Sequence, residues 1–177
     1  MSIDPIGALY GALRTVPDFP EPGVQFKDIS PILADPALLR TAVRALAAPY
    51  ADMGVTKVVG VESRGFLFGT PMADWLGAGF VLARKPGKLP AATISEEYTL
   101  EYGTDAVEIH IDALTPDDRV LIHDDVIATG GTAAATARLI ERVGATVVGF
   151  AFLIELEFLN GRTQLPDTLP VHVVLDV

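Results

Sequence analysis

The sequence predicts an α/β fold, a mostly parallel twisted sheet flanked by helices. Three observations predict it. Short apolar runs of strand length ("KVVGV", "GFVLAR", "RVLIH", "TVVGFAFLIE") alternate with segments of helical spacing ("GFLFGTPMADWLG", "TAAATARLIERVG"). Strands that alternate with helices pair in parallel, because each helix carries the chain back across the sheet. Half of the 177 residues are apolar, enough for one sizeable core. No repeat, low-complexity tract or composition break divides the chain, so residues 1–177 are expected to form one domain.

Taken in order, Asp4-Pro5 reads as a helix cap followed by proline at the first helical position, opening a helix that ends before Pro17. "PDFPEPGVQFKDISPIL" holds too many prolines for a helix interior and reads as an extended arm or loop. Asp35-Pro36 repeats the cap and opens an amphipathic helix that stops near Pro49. "KVVGV" is a buried strand, followed by the helix "GFLFGTPMADWLG" and the strand "GFVLAR". "RKPGKLPAA" is a turn-rich loop, and "AVEIHID" alternates as a half-buried strand. "RVLIH", "TAAATARLIERVG" and "TVVGFAFLIE" give strand, helix and strand, and "VHVVLDV" supplies a last strand.

Composition narrows the function. Lys+Arg 13 against Asp+Glu 23 gives a formal charge of −10. That argues against nucleic acid as the main partner, since phosphate neutralisation dominates such binding. Cysteine is absent, which removes disulfides and thiol catalysis and fits a cytoplasmic setting. The N-terminus shows no basic region followed by a long apolar run, so no signal peptide is expected. No apolar stretch reaches membrane-spanning length, so no membrane association is expected. There is neither a G-x-x-x-x-G-K-[ST] loop nor a G-x-G-x-x-G after a strand. His110, His123 and His172 lie scattered on predicted strands, which makes a transition-metal site improbable.

The informative stretch is "VLIHDDVIATGGTAAAT", residues 120–136. Asp124 and Asp125 fall where the strand "RVLIH" is expected to end, and Thr129-Gly130-Gly131-Thr132 opens the next helix. Ligands of open α/β sheets sit at the carboxyl ends of the strands. Glycines let backbone N–H groups close on an anion, and the helix dipole and threonine hydroxyls add to the pull. The loop can hold a phosphate. The carboxylates repel one, but they can accept hydrogen bonds from sugar hydroxyls or bind Mg²⁺ directly or through water. Phosphate on one side and hydroxyls on the other describe a ribose 5-phosphate.

"HDDVIATGGTA" resembles the phosphoribosyl pyrophosphate (PRPP) signature of the type I phosphoribosyltransferases. "VPDFPEPGVQFKDISPIL", "GVESRGFLFG", "ARKPGKLPAATISEEYTLEYGTDAVEIHIDAL" and "FLIELEFLNGR" are similar, in the same order, to segments of the adenine phosphoribosyltransferases. The resemblance covers most of residues 16–162. It implies the reaction adenine + PRPP → AMP + pyrophosphate, a purine-salvage step with Mg²⁺ as cofactor, and a homodimer. It also implies an arm and hood over the site from about residues 1–34.

Site residues follow from the same resemblance. The 5-phosphate is expected on Ala128, Thr129, Gly130, Gly131 and Thr132, with Asp124 and Asp125 facing the ribose hydroxyls. Mg²⁺ would be held mainly by PRPP and reached from these carboxylates through water. Pyrophosphate is expected on Ser63, Arg64 and Gly65, after a cis Glu62-Ser63 bond, and on Arg84, Lys85 and Lys88, some of which could reach across a dimer interface. Arg64 and Glu101 are the catalytic candidates, with Glu101 engaging adenine N7 from a mobile loop, "PAATISEEYTLEYG". Tyr102 is the preferred lid residue over Tyr98, and Glu96 and Glu97 read as ordinary loop acids. Gln25, Phe26 and Lys27 are expected around adenine, with Phe26 stacking and a backbone C=O and N–H pair giving specificity.

Two positions depart from the family pattern. His123 stands where an aliphatic residue is usual, and Lys27 where arginine is common. Two other readings of the chain stand beside this one. A transferase for a 6-oxopurine is disfavoured by the arm around Phe26, and a non-catalytic PRPP sensor by the acidic charge and the retained loop glutamate.

Overall fold

The computed structural model describes residues 4–100 and 103–177. Helix α1 (Pro5–Ala12) is followed by a hairpin of β1 (Arg14–Pro17) and β2 (Gln25–Asp28), then by α2 (Ser30–Ala34) and α3 (Pro36–Ala47). β3 (Lys57–Val61), α4 (Gly65–Leu76) and β4 (Gly79–Ala83) form the first strand-helix-strand unit. A second hairpin, β5 (Thr93–Leu100) and β6 (Gly103–His110), leads to β7 (Arg119–Ile127), α5 (Gly131–Val143), β8 (Thr146–Glu155) and β9 (Val171–Asp176).

The expected parallel sheet is present, five strands in the order β4-β3-β7-β8-β9, every pair parallel. α1, α3 and α4 cover one face, around Leu46, Phe68 and Met72, while α5 and the β5–β6 hairpin cover the other, around Ile109, Ile122 and Phe152. Phe68 and Phe150 are fully buried, a class of side chain whose burial is worth roughly 1.5–3 kcal/mol each. Strand order reverses between β3 and β7, since β3 is followed outward by β4 on one side and β7 by β8 and β9 on the other. A crevice at the carboxyl ends of two such strands is where ligands of open α/β sheets bind.

The Asp-Pro signatures work as read. Asp4 Oδ1 accepts from Ile6 N–H at 3.1 Å, and Asp35 Oδ1 accepts from Ala37 N–H at 2.7 Å and Leu38 N–H at 3.1 Å. The first helix stops at Ala12, before Pro17 as expected. Local reading went wrong in three places. The extended arm or loop is a hairpin of β1 and β2, and its last residues, Ser30–Ala34, form helix α2. "TISEEYTL", expected in a mobile loop, is strand β5, zipped to β6 from Thr93–His110 onward. Both hairpins lie outside the parallel sheet, so their pairing left no mark on the strand-helix alternation. Finally, β7 does not end at His123. It runs to Ile127, because β8 is long enough to pair with it as far as Ile127–Glu155.

Candidate active site

β3 stops pairing with β7 at Gly60–His123, and beyond that point β7 is flanked by β8 alone. Asp124 and Asp125 occupy this overhang. Successive strand side chains start on opposite faces, yet the two carboxyl groups stay close enough to act on each other. Asp124 turns towards α5 and lines two adjoining cavities. One, of about 100 Å³, is bounded by Glu62, Arg84, Lys85, Tyr98 and Thr132. The other, of about 80 Å³, is bounded by Ala128, Thr129, Gly130, Gly131 and Thr132. Asp125 turns towards α4, where Arg64 Nε meets its Oδ2 at 2.8 Å. A larger concavity of about 760 Å³ lies far from these groups, against α1, α3 and α4.

Burial raises the pKa of Asp124 well above the ordinary carboxylate range, and the neighbouring Asp125 charge adds to it. Burial also raises Asp125, against the pull of Arg64. Two buried acids share one guanidinium, that of Arg64. His123 adds no positive charge. Its ring is buried against Phe68, and burial lowers its pKa to about 4. Nδ1 lies 2.9 Å from the Ala151 carbonyl, which can only accept, so Nδ1 carries the proton of a neutral imidazole. The histidine is a packing substitution.

Helices α4 and α5 differ from α1 and α3 at their starts. No side chain among the described residues caps either one, their N-cap positions being Arg64 and Gly130. The starts of both helices, with their dipoles, lie beside the crevice around Asp124. Gly65 allows α4 to come this close. A Cβ there would stand 3.0 Å from Asp124 Oδ1 and 3.1 Å from the His123 carbonyl oxygen. The Glu62-Ser63 bond that precedes the helix is cis, as the resemblance implies.

The cationic residues come together but are not free. Arg84 grips Glu62 with two nitrogens, at 3.2 and 2.9 Å, and gives a third hydrogen bond to the Lys88 carbonyl. Its guanidinium holds the Glu62 carboxyl below the ordinary range. Lys85 forms an ion pair with Asp105 and donates to the Tyr98 hydroxyl at 3.0 Å. Burial lowers the Lys85 pKa, but these two partners outweigh it and the net shift is upward. Lys88 is exposed. Arg64, expected to face only an anion, also stacks its guanidinium 4.9 Å over the Phe26 ring. That contact brings the β1–β2 hairpin to the crevice. Phe26 is half-buried, with Phe19 edge-on at 5.1 Å, while Gln25 is exposed and Lys27 Nζ reaches Thr15 Oγ1 at 3.2 Å.

Glu101 and Tyr102 lie outside the described residues. Tyr98, passed over as the lid candidate, is 6% exposed, and its hydroxyl joins Lys85, Asp105 and Thr132. Glu96 is no idle loop acid, since Arg138 and Arg142 of α5 both hold it at 2.8 Å. Among the described residues no group of three acids or histidines could cage a metal. The net negative Asp124–Asp125 pair suits a cation whose other ligands come from a phosphate-bearing substrate.

Residues 29–175 match the family of the phosphoribosyl transferase domain. The adenine phosphoribosyltransferase of Synechococcus sp. (strain JA-3-3Ab) is 59% identical over 168 residues, which is 94% of this chain and 96% of that protein. The crystal structure of adenine phosphoribosyltransferase from Rhodothermus marinus superposes with a TM-score of 0.94 at 62% identity, over 98% of both chains. The Saccharomyces cerevisiae enzyme, complexed with D-2,5-dideoxy-2,5-imino-altritol 1,6-bisphosphate and adenine, superposes with a TM-score of 0.90 at 40% identity, over 97% of this chain and 98% of that one. Fold, crevice and these likenesses agree, and the chain belongs to the adenine phosphoribosyltransferases of the type I phosphoribosyltransferase family.

Proposed function

We infer that this chain is a purine-salvage transferase that moves the 5-phosphoribosyl group of PRPP to adenine, giving AMP and pyrophosphate. The observation that carries the reading is the place of Asp124 between two cavities, with Thr132 common to both. The 5-phosphate lies on the N–H groups of Ala128–Thr132, at the uncapped start of α5. Pyrophosphate lies on the far side, against Ser63, Arg64 and Gly65 at the start of α4 and against Arg84, Lys85 and Lys88. The ribose between them presents its hydroxyls to Asp124 and Asp125.

The C1–pyrophosphate bond breaks as adenine N9 approaches, and positive charge develops on the ribosyl ring. Asp124 is buried and forms no ion pair of its own among the described residues, and burial raises its pKa. The developing cation supplies a counter-charge, so the interaction strengthens towards the transition state. Mg²⁺ carried mainly by PRPP would neutralise the leaving pyrophosphate, and Asp124 and Asp125 would be its protein contacts, through water. Adenine stacks on Phe26 beside Gln25 and Lys27, with residues 1–34 as the hood. Glu101 hydrogen-bonds N7 and Tyr102 covers the site.

The reading includes a cytoplasmic homodimer. α4 and β4 expose Leu67, Trp75 and Leu82, apolar surface of the kind subunit interfaces cover. No helix among the described residues is long and apolar enough to cross a membrane. The decisive assay measures AMP and pyrophosphate release from PRPP with adenine, hypoxanthine and guanine, with and without Mg²⁺. Adenine should exceed hypoxanthine by about 10⁴-fold, because a site built for its 6-amino donor and N1 acceptor leaves polar groups unpaired against the oxo base. Comparable turnover of hypoxanthine would sink the base assignment.

A further inference from the structure

The segment "LNGR" belongs to the family resemblance, yet none of its side chains lines the crevice cavities. Its backbone does something else. After β8 the chain makes a one-turn helix, Glu157–Leu159, passes Asn160 in the left-handed region (φ 51°), and makes a second turn, Gly161–Gln164. This second turn lies flat against the loop that precedes α5. A Cβ on Gly161 would run into the Ala128 carbonyl oxygen and stand 3.0 Å from its carbon and 2.9 Å from Ile127 Cγ1. The approach is reciprocal. A Cβ on Gly130, itself at φ 81°, would run into the Gly161 carbonyl oxygen and stand 3.1 Å from Gln164 Cβ. Two backbones touch here with no room for a side chain on either.

The turn is anchored from behind. Arg162 lines neither crevice cavity and grips Glu155, with Nε at 2.7 Å and Nη2 at 2.6 Å from Oε2, and Glu155 is 7% exposed. Its Nη1 also reaches the Val171 carbonyl at 3.2 Å. Leu156 N–H donates to the Ile127 carbonyl at 3.0 Å, tying the start of the segment to the end of β7. The loop at Ala128–Gly130 is thus fixed on one side by its own helix and on the other by this turn.

We propose that Gly161 is a positioning residue for the 5-phosphate subsite, and that the turn Gly161–Gln164, locked by Arg162 on Glu155, braces the phosphate loop in its binding shape. The inference rests on the assignment of Ala128–Thr132 to the 5-phosphate. It requires that loosening the brace weaken ligands carrying that phosphate and spare those without it.

The test is calorimetric titration of Gly161→Ala, Arg162→Lys and Gly131→Val with AMP and with adenine, on variants shown to be folded by circular dichroism, together with steady-state kinetics. Gly161→Ala should bind AMP about tenfold or more weakly and raise the KM for PRPP by a similar factor. Adenine affinity and kcat should stay within about twofold, which a general loss of stability would not produce. Arg162→Lys keeps the charge but loses the fork, and should shift the same ratio in the same direction by about threefold. A folded Gly161→Ala protein with wild-type AMP affinity overturns the brace, as does a loss confined to kcat. If Gly161→Ala does not fold, Arg162→Lys decides by the same ratio, an unchanged one overturning the proposal. Gly131→Val separates the two levels. Unchanged AMP binding in that variant removes the phosphate assignment itself, whereas lost binding there beside intact binding in Gly161→Ala removes only the brace.

Discussion

The two proposed anion cradles flank Asp124, and they are made of different materials. The one at the start of α5 is backbone, from Ala128 to Thr132, and carries no basic side chain. Its backbone is packed between α5 behind and the turn Gly161–Gln164 beside, so under the proposal its binding shape is preformed. The one at the start of α4 relies on Arg64, Arg84 and Lys85, and each of these is already paired with an internal carboxylate, Asp125, Glu62 or Asp105. A ligand enters the first without displacing a protein contact. It enters the second only by competing with acids already there. In the proposed reaction the first holds the part of the substrate that stays attached to the ribose, and the second holds the part that leaves. Rigid backbone suits the former, and exchangeable ion pairs suit the latter.

The largest expected effect comes from breaking the rigid cradle. Gly131→Val puts a β-branched side chain where the backbone must approach phosphate, and PRPP affinity should fall by about 100-fold or more in a calorimetric titration. Unchanged affinity would mean that the loop is not the phosphate site, and the contrast between the two cradles would then have no basis.

Asp124→Asn tests the charge between them. Losing a hydroxyl contact and transition-state charge should cost roughly 1–4 kcal/mol in kcat/KM. Stability should move the other way. The carboxyl pKa in the folded protein is raised, so the fold binds its proton more tightly than the unfolded chain does. Its contribution is therefore lost as pH rises, and at pH 7.5, where the unfolded chain is ionised, keeping this carboxyl in the fold costs stability. Asn cannot ionise, so Tm at pH 7.5 should exceed that of the wild type. The gain should fade as pH falls towards the ordinary aspartate range, about 3.9. A variant less stable at pH 7.5 would show that the Asp124 carboxylate is satisfied by its protein neighbours.

Phe26→Ala asks whether the base site and the side-chain cradle are joined. The ring touches Arg64, and Arg64 holds Asp125. Loss of the aromatic face should weaken adenine by roughly 1–3 kcal/mol, the usual worth of stacking on a base. Pyrophosphate inhibition should change as well, while AMP-free phosphate binding at Ala128–Thr132 should not. A variant that melts early yet binds adenine normally would make Phe26 an anchor for the hairpin.

What the sequence disclosed about the two cradles differs for the same physical reason. The backbone cradle is contiguous. With the neighbouring acids, its glycines and threonines sit within nine residues and each has a local signature, so residues 124–132 could be picked out, and the structure brings many of them to the crevice. The strands of the parallel sheet were legible too, because burial on both faces leaves unbroken apolar runs. The side-chain cradle is assembled across distance. Glu62 meets Arg84 from 22 residues away, Lys85 meets Asp105 from 20, and Tyr98 meets Thr132 from 34. No spacing rule reaches that far. The cations could be named, but not the acids that occupy them or the tyrosine that joins them. The hairpin β5–β6 escaped for a related reason. Its charged and polar faces are satisfied by α5, where Arg138 and Arg142 hold Glu96, so a segment that reads as a solvated loop is a docked strand.

The smallest predicted effect tests the exchangeable side of the comparison most directly. Asp105 accepts from both Lys85 and Tyr98. Two roles are open to such a carboxylate, and they predict opposite signs. If it competes with pyrophosphate for Lys85, then Asp105→Asn frees the ammonium, which keeps the Tyr98 hydroxyl as a neutral partner. If it holds Lys85 in place for pyrophosphate, the same change lets the ammonium wander. The pair is partly open to water, with side chains 45% and 26% exposed. Pairs of this kind contribute only about 0.2–1 kcal/mol. Competition therefore predicts that Asp105→Asn tightens pyrophosphate inhibition by about two- to fivefold, with the AMP affinity unchanged because the backbone cradle has no part in the exchange. Replacing Lys85 by alanine in the same background should erase the gain, since the carboxylate acts only through that ammonium. Weaker inhibition in Asp105→Asn would reverse the assignment. The acid would then be part of the pyrophosphate site, and both cradles would count as preformed.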